Sequence, residues 1–101
     1  KKSMNYRVFV TPDALRNLDD AVYYYKNTAS AKVASRFLGD YKNTLAKIVE
    51  AKYFQVFFEN FRGLPMKKFP YIVFYTLDES QKIIMIKAVF HTSQNPEKYP
   101  E

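Results

Sequence analysis

The sequence predicts an α+β fold in the order β-α-α-β-β-β, in which a helical hairpin packs on a four-stranded, mostly antiparallel sheet. Two amphipathic stretches occupy the first half of the chain, and two long β-branched and aromatic runs occupy the second half. The strands of the second half follow one another without intervening helices, so the repeated βαβ units of a parallel sheet are absent from the pattern. We expect residues 1–101 to form a single domain with its own core.

The first strand and the first helix are predicted from residues near the start of the chain. Tyr6, Val8 and Val10 alternate with Arg7 and Phe9, which suggests a strand. Thr11 can cap a helix, Pro12 suits its first position, and the carboxylate of Asp13 suits the positive end of the helix dipole. The helix should end near Lys26. Its apolar positions recur at helical spacing at Leu15, Leu18, Val22 and Tyr25.

A short polar break over residues 27–30 precedes a second helix, which Ser30 can cap and which should end near Glu50. One face of this helix is apolar, with Val33, Phe37, Tyr41, Leu45 and Ile48. The other face is polar, with Lys32, Arg36, Lys42, Asn43 and Lys47. Two helices joined by so short a break should form an antiparallel hairpin laid against the sheet.

Three further strands are predicted in the second half of the chain. The segment 53–58 is ambiguous between an extended linker and a strand. Regular strands are expected at about Phe61–Lys68, Tyr71–Leu77 and Lys82–Phe90, and Pro65 makes the first of them irregular or part of an edge. The last two are apolar on both faces, which predicts that they lie in the middle of the sheet.

Composition limits the classes of function. The chain has 48% hydrophobic and 18% aromatic residues, which argues against disorder, and no apolar run approaches the length of a membrane span. It contains no cysteine, which excludes disulfides and thiolate metal sites and fits a reducing cytoplasm. The formal net charge of +6 favours an acidic partner such as nucleic acid, the ribosome or an acidic protein, although solubility alone also accounts for such a charge.

No familiar catalytic motif is present. Two glycines, Gly39 and Gly63, are too few for a glycine-rich phosphate loop, and no serine lies in a G-x-S-x-G setting. A single histidine without cysteine argues against a zinc site, so no metal or cofactor is expected. The remaining polar chemistry lies around His91 and the run Thr92–Asn95, which the last strand delivers to one edge of the sheet.

Five residues are candidates for a site, each with a structural alternative. His91 could act as a general acid or base near neutral pH, or it could end a buried strand and form a hydrogen bond with a neighbouring carbonyl. The structural alternative is favoured, because a lone histidine is weak evidence for a catalytic site. Arg62, Lys67 and Lys68 could hold phosphates, or they could keep a sheet edge positive and so block strand addition. Tyr71 could stack on a base or position a phosphate, but an aromatic residue in an apolar strand favours the core.

The order of elements and the motifs resemble the RelE/ParE superfamily of toxins from type II toxin–antitoxin, or plasmid stabilisation, systems. The resemblance extends from Tyr6 to Pro96. Its carriers are V-T-P-D-A over Val10–Ala14, the helical residues Ala34, Arg36 and Phe37, the block from Arg62 to Tyr75, and V-F-H-T-S-Q-N-P over Val89–Pro96.

This resemblance implies a small, basic, cytoplasmic toxin that a cognate antitoxin masks. ParE-like members bind DNA gyrase and poison it without chemistry of their own. RelE-like members cut mRNA on the ribosome without a metal, using clustered lysine, arginine, tyrosine or histidine side chains. A third alternative is an inactive member that retains only antitoxin binding.

The sequence departs from the nuclease pattern of the superfamily. Ile72 follows the tyrosine of the central strand where those nucleases often carry arginine, and Gly63 and Pro65 stand at positions for inward basic residues. The last strand ends in His91 and Thr92 rather than in an arginine. We therefore expect a ParE-like toxin that acts on a protein target.

The alternative is a ribosome-dependent endoribonuclease, and the sequence leaves open whether the chain is an enzyme. In that case the catalytic groups would be His91 and Tyr71, and Arg62, Lys67 and Lys68 would bind RNA phosphates.

The antitoxin surface is predicted from charge. A basic toxin with an exposed helical hairpin should accept an amphipathic acidic segment from its antitoxin. The candidate antitoxin contacts are Lys32, Arg36 and Lys47 on the second helix.

Overall fold

The computed structural model describes residues 5–93. In this part of the chain, seven elements follow one another in the order β-α-α-β-β-β-β, and the predicted α+β class is confirmed. The elements are β1 (Arg7–Val10), α1 (Pro12–Thr28), α2 (Ala31–Ala51), β2 (Val56–Phe58), β3 (Phe61–Pro65), β4 (Tyr71–Asp78) and β5 (Ile83–His91).

The strands form one mixed sheet in the order β1-β5-β4-β3-β2. β1 runs parallel to β5, and the other neighbours are antiparallel. The sheet therefore has five strands rather than the predicted four, because Val56–Phe58 in the ambiguous segment pairs with β3 and forms a short edge strand. The doubly apolar β4 and β5 occupy inner positions, as predicted.

β3 ends at Pro65 rather than at Lys68, which corrects its predicted length. The carboxylate of Asp40 on α2 accepts hydrogen bonds from the backbone N–H groups of Lys68 (2.7 Å) and Phe69 (3.1 Å). These two amides are therefore engaged by the helix and do not extend the sheet. The predicted polar residues Gln94 and Asn95, together with the tail after them, lie outside the described residues.

Both helices begin where the sequence predicts. The Thr11 hydroxyl accepts a hydrogen bond from the Ala14 N–H at 3.2 Å, and Pro12 is the first helical residue of α1. The Ser30 hydroxyl accepts from the Val33 N–H at 3.1 Å and caps α2. Each cap satisfies one backbone donor that the first turn of a helix leaves without a partner.

The buried face of α1 differs by one position from the predicted stripe. Leu15 is 51% exposed, whereas the small side chains of Ala14 and Ala21 are buried on either side of Leu18. Alanines let the helix approach the sheet closely, so the contact face follows them rather than the larger Leu15. On α2 the predicted apolar stripe is buried or half-buried throughout.

The sheet has an apolar cluster on each face. On the side of the helices, Tyr71, Val73 and Tyr75 of β4 pack with α1 and α2. On the opposite side, Phe61, Ile72, Phe74, Ala88 and Phe90 form a second cluster with Phe57 and Phe58. Within residues 5–93, neither helix is long and apolar enough to cross a membrane.

Candidate functional site

Tyr71 and His91 meet at one end of the sheet. Tyr71 begins β4, His91 ends β5, and the two residues are paired across the strands. Their rings pack edge to face, with centroids 4.9 Å apart and an interplanar angle of 85°. A cavity of about 420 Å³ opens between these residues and α1, where Asn17 and Asp20 contribute to its wall. We call it the histidine cavity.

The imidazole of His91 is oriented by the residue two positions after it. The Ser93 backbone N–H donates a hydrogen bond to Nδ1 of His91 at 3.0 Å, and the Ser93 hydroxyl oxygen lies 2.7 Å from the same nitrogen. Because Nδ1 accepts from the amide, a neutral ring carries its proton on Nε2. The histidine therefore has a defined tautomer at the rim of the cavity.

Tyr71 is a largely buried residue of the core. Its ring packs on Phe37 of α2 at 5.1 Å between centroids, and only 8% of the residue is exposed. Burial, followed by interactions with the neighbouring Tyr25, raises the pKa of Tyr71 to about 12. The phenol is therefore protonated at neutral pH, so it can donate a hydrogen bond or a proton but cannot act as a general base.

Lys67 and Lys68 lie in a different place. They follow β3 and line a groove of about 360 Å³ together with Lys47 of α2. All three lysines are exposed. We call this concave surface the lysine groove. Asp40 also lines the groove. The hydrogen bonds that its carboxylate accepts from the backbone of residues 68 and 69 hold the loop after β3 against α2.

Arg62 occupies a third place and is engaged in structural contacts. Its Nη1 donates a hydrogen bond to the Phe54 carbonyl at 2.7 Å, and its guanidinium carbon lies 5.4 Å from the centroid of the Tyr53 ring. Tyr53 in turn donates its hydroxyl to Glu79, and this hydrogen bond is the largest cause that raises the pKa of Tyr53 to about 12. Tyr53, Arg62 and Glu79 line a separate cavity of about 470 Å³.

The structure thus distributes the sequence-predicted residues over three cavities. His91 and Tyr71 share one, Lys67 and Lys68 share the second, and Arg62 lines the third. The predicted antitoxin contacts are also divided, because Lys47 lines the lysine groove whereas Lys32 and Arg36 stand on the exposed surface of α2 nearer its start.

Sequence reasoning missed Asp40, although a signal for it exists. Asp40 and Thr44 follow Phe37 at spacings of three and seven residues and fall on the buried side of α2, where both are at most 4% exposed. An acidic residue at such a position requires a hydrogen-bonding partner. The partner itself, a backbone turn 28 residues away, has no signature in the helix.

The sequence model for the ParE toxin of the type II toxin–antitoxin system parDE matches residues 8–96. The chain belongs to this family. It is a type II toxin of the ParE kind, and its family implies an antitoxin partner. A comparison with curated proteins gave no match.

Solved structures share the fold of this ParE-family toxin. A chain of the chromosomal ParDE toxin–antitoxin system from P. aeruginosa is 15% identical and superposes with a TM-score of 0.77, covering 88% of this chain and 98% of the other. The isolated RelE toxin of E. coli is 10% identical, with a TM-score of 0.57, and covers 92% of this chain and 90% of its own. At these identities the likeness shows a common fold and leaves the activity to be argued from the site.

Proposed function

We propose that this toxin acts in the cytoplasm by binding a protein target, with DNA gyrase as the target implied by the resemblance to ParE-like members, and that it has no nuclease activity of its own. The observation that carries this proposal is the separation of the candidate nuclease groups. Metal-independent cleavage of RNA needs a base or acid, a nucleophile and cationic groups around one phosphate. Here the cationic groups and the histidine line different cavities.

Among residues 5–93, the lining of the histidine cavity carries none of the positive charge that such chemistry requires. None of the described residues that line it is lysine or arginine, and Asp20 adds a carboxylate to its wall. A carboxylate disfavours both the approach of a phosphate and the extra negative charge of the transition state. The geometry of His91 and Tyr71 therefore supports a structural role at the end of the sheet.

Neutralisation by the antitoxin is the second part of the proposal. Lys32, Arg36 and Lys47 are exposed along α2, and an amphipathic acidic segment complements such a surface. Coverage of this surface would block the target sterically or hold the toxin in an inactive complex.

The test compares two activities of the same purified protein. Relaxed plasmid, gyrase and ATP are incubated with the toxin, and enzyme-linked DNA breaks are measured; in parallel, translating ribosomes are incubated with it, and the 5′ ends of the mRNA are mapped. We expect gyrase-dependent breaks at equal yield from the wild type and His91→Ala, and intact mRNA. Cleavage of mRNA that His91→Ala abolishes and the neighbouring exposed variant Thr92→Ala retains would contradict the proposal.

One observation favours an endoribonuclease as the second candidate. His91 and Tyr71 share a cavity, and the imidazole is held in one tautomer by Ser93. A phenol that stays protonated beside a histidine is a feasible proton donor for a leaving oxygen. The mapping experiment decides between the candidates, and a folded protein that is inactive in both assays and leaves growth normal on expression would favour an inactive member.

A further inference from the structure

The lysine groove unites positive charges that are distant in sequence. Lys47 comes from α2, and Lys67 and Lys68 come from the loop after β3. The three cations border one concavity of a chain whose formal net charge is +6. These three positive charges outnumber the single carboxylate of Asp40 in the lining, and a cleft with such an excess of positive charge concentrates anionic ligands.

The backbone of the groove is fixed before any ligand arrives. Oδ2 of Asp40 accepts hydrogen bonds from the N–H groups of Lys68 and Phe69 at 2.7 and 3.1 Å. The Phe69 ring packs on Phe37 at 5.5 Å between centroids, and the Met66 N–H donates to the Tyr71 carbonyl at 2.8 Å. Binding therefore orders only the lysine side chains and leaves the loop as it is, which lowers the entropic cost of association.

The lining of the groove favours a peptide over a nucleic acid. Asp40 places a carboxylate among the lysines, and Leu64 and Pro65 form an apolar wall. None of the described residues that line the groove is aromatic, whereas single-stranded nucleic acids are usually held by stacking on aromatic rings. An acidic peptide matches this lining, because it offers apolar groups to the wall and carboxylates to the lysines.

We propose that the lysine groove is a docking site for an acidic peptide segment, and that this segment belongs to the antitoxin. This inference rests on the proposed neutralisation by an antitoxin. It assigns Lys67 and Lys68 to peptide carboxylates rather than to RNA phosphates, and it extends the antitoxin surface from α2 onto the loop after β3.

A defined acidic peptide tests this assignment without the antitoxin itself. Fluorescein-labelled (Glu-Ala)₆ is titrated with the purified chain at low ionic strength, and its anisotropy is measured. The groove variant Lys47→Gln/Lys67→Gln/Lys68→Gln should bind about tenfold more weakly, since each partly exposed ion pair contributes a factor of about two to three.

A matched variant separates the groove from the overall charge. Lys26→Gln/Lys42→Gln/Lys82→Gln removes the same three charges at exposed positions that do not line the groove. It should weaken binding less than about threefold, the effect of a general loss of charge. Equal weakening by the two triple variants would overturn the inference. Should the groove variant unfold, its three single variants replace it, each with an expected weakening of about twofold to threefold.

A labelled RNA dodecamer, titrated in the same way, tests the other class of ligand. Weaker binding of RNA than of the peptide supports the inference, and tighter binding of RNA that the groove variant loses would overturn it. Growth arrest on expression is measured separately. A wild type that binds the peptide but does not arrest growth contradicts the proposed function, whereas a wild type that arrests growth and shows no groove-dependent peptide binding contradicts only the groove.

Discussion

The histidine cavity and the lysine groove lie on the side of the helices but differ in chemistry. The histidine cavity lies against α1, contains the aromatic rings of Tyr24 and Tyr71 and no described lysine or arginine. The lysine groove lies against α2, contains three lysines and has no aromatic ring among its described residues. The fold therefore separates the group suited to proton transfer from the groups suited to binding an anion.

Within residues 5–93, this separation supports the proposal that the nuclease-like residues do not form one catalytic site. Proton transfer and charge stabilisation act on the same reacting atoms, so their groups must converge within hydrogen-bonding reach of one phosphate. In this toxin, each cavity lies beside a hydrogen bond that joins a helix to the sheet or to its loop. The histidine cavity marks where α1 meets the end of the sheet, and the groove marks where α2 holds the loop after β3.

The largest effect on stability is expected at the floor of the groove. Asp40→Ala removes two charge-assisted hydrogen bonds to backbone N–H groups and should lower the free energy of unfolding by roughly 3 kcal/mol. Asp40→Asn retains an acceptor oxygen and should cost less. Urea unfolding at neutral pH measures both.

The control for this change is Asp19→Ala, an exposed carboxylate on α1, which should alter stability by less than about 0.5 kcal/mol. If Asp40→Ala proved as mild as Asp19→Ala, the loop would be held by its apolar contacts alone. The hydrogen bonds of Asp40 would then not hold the loop that forms one side of the lysine groove.

A smaller effect is expected at the wall of the histidine cavity. The Asn17 side-chain oxygen accepts a hydrogen bond from the buried Val89 N–H at 3.0 Å, so Asn17→Ala leaves that donor without a partner. The expected loss is about 1 to 2 kcal/mol in the free energy of unfolding.

Asn43→Ala, in the lysine groove, is the matched control. Asn43 is exposed, and its replacement should change stability by less than about 0.5 kcal/mol. The same urea titration compares the two asparagines. If Asn43→Ala lowered the free energy of unfolding as much as Asn17→Ala, the hydrogen bond from the Val89 N–H to Asn17 would not account for the loss at Asn17.

Tyr71→Phe is expected to change the stability of the fold least at neutral pH. At high pH it should have a distinct effect. Burial raises the pKa of Tyr71 to about 12, against an ordinary value of 10.0. Between these two values the unfolded chain has released the phenolic proton and the folded chain has not, so stability present below pH 10 declines as the pH rises toward 12. The variant lacks this contribution.

Urea midpoints measured between pH 9 and pH 12 should therefore fall less steeply for Tyr71→Phe than for the wild type. Tyr23→Phe provides the comparison, because Tyr23 is 71% exposed. Identical slopes for the wild type and Tyr71→Phe would show that Tyr71 ionises in the folded protein as readily as in the unfolded one.

Local signals predicted the elements well because each acts within a few residues. Thr11, Pro12 and Ser30 fixed the helix starts, and the β-branched and aromatic runs identified β4 and β5 as inner strands. The errors arose where packing decided. Val56–Phe58 became a strand through pairing with β3, and α1 turned its alanines rather than Leu15 toward the sheet.

The candidate residues illustrate the same limit. Sequence reasoning selected His91, Arg62, Lys67 and Lys68 by residue type, and the structure places them in three cavities. Arg62 bonds to a carbonyl eight residues before it, a contact that depends on how the chain turns between α2 and β3. The orientation of the His91 ring, in contrast, depends on a local contact, because its hydrogen-bonding partner Ser93 is only two residues away in sequence.

The α+β class, the helical hairpin, the inner strands and the resemblance to toxins of this superfamily could all be predicted from the amino-acid sequence. These features depend on periodicity, caps and motif order, all of which are local or linear properties of a chain. Which charges share a surface depends on how the folded elements pack against one another. Lys47 lines the same groove as Lys67 and Lys68 because the buried carboxylate of Asp40 binds backbone amides 28 and 29 residues away, and no local pattern specifies a contact over that distance.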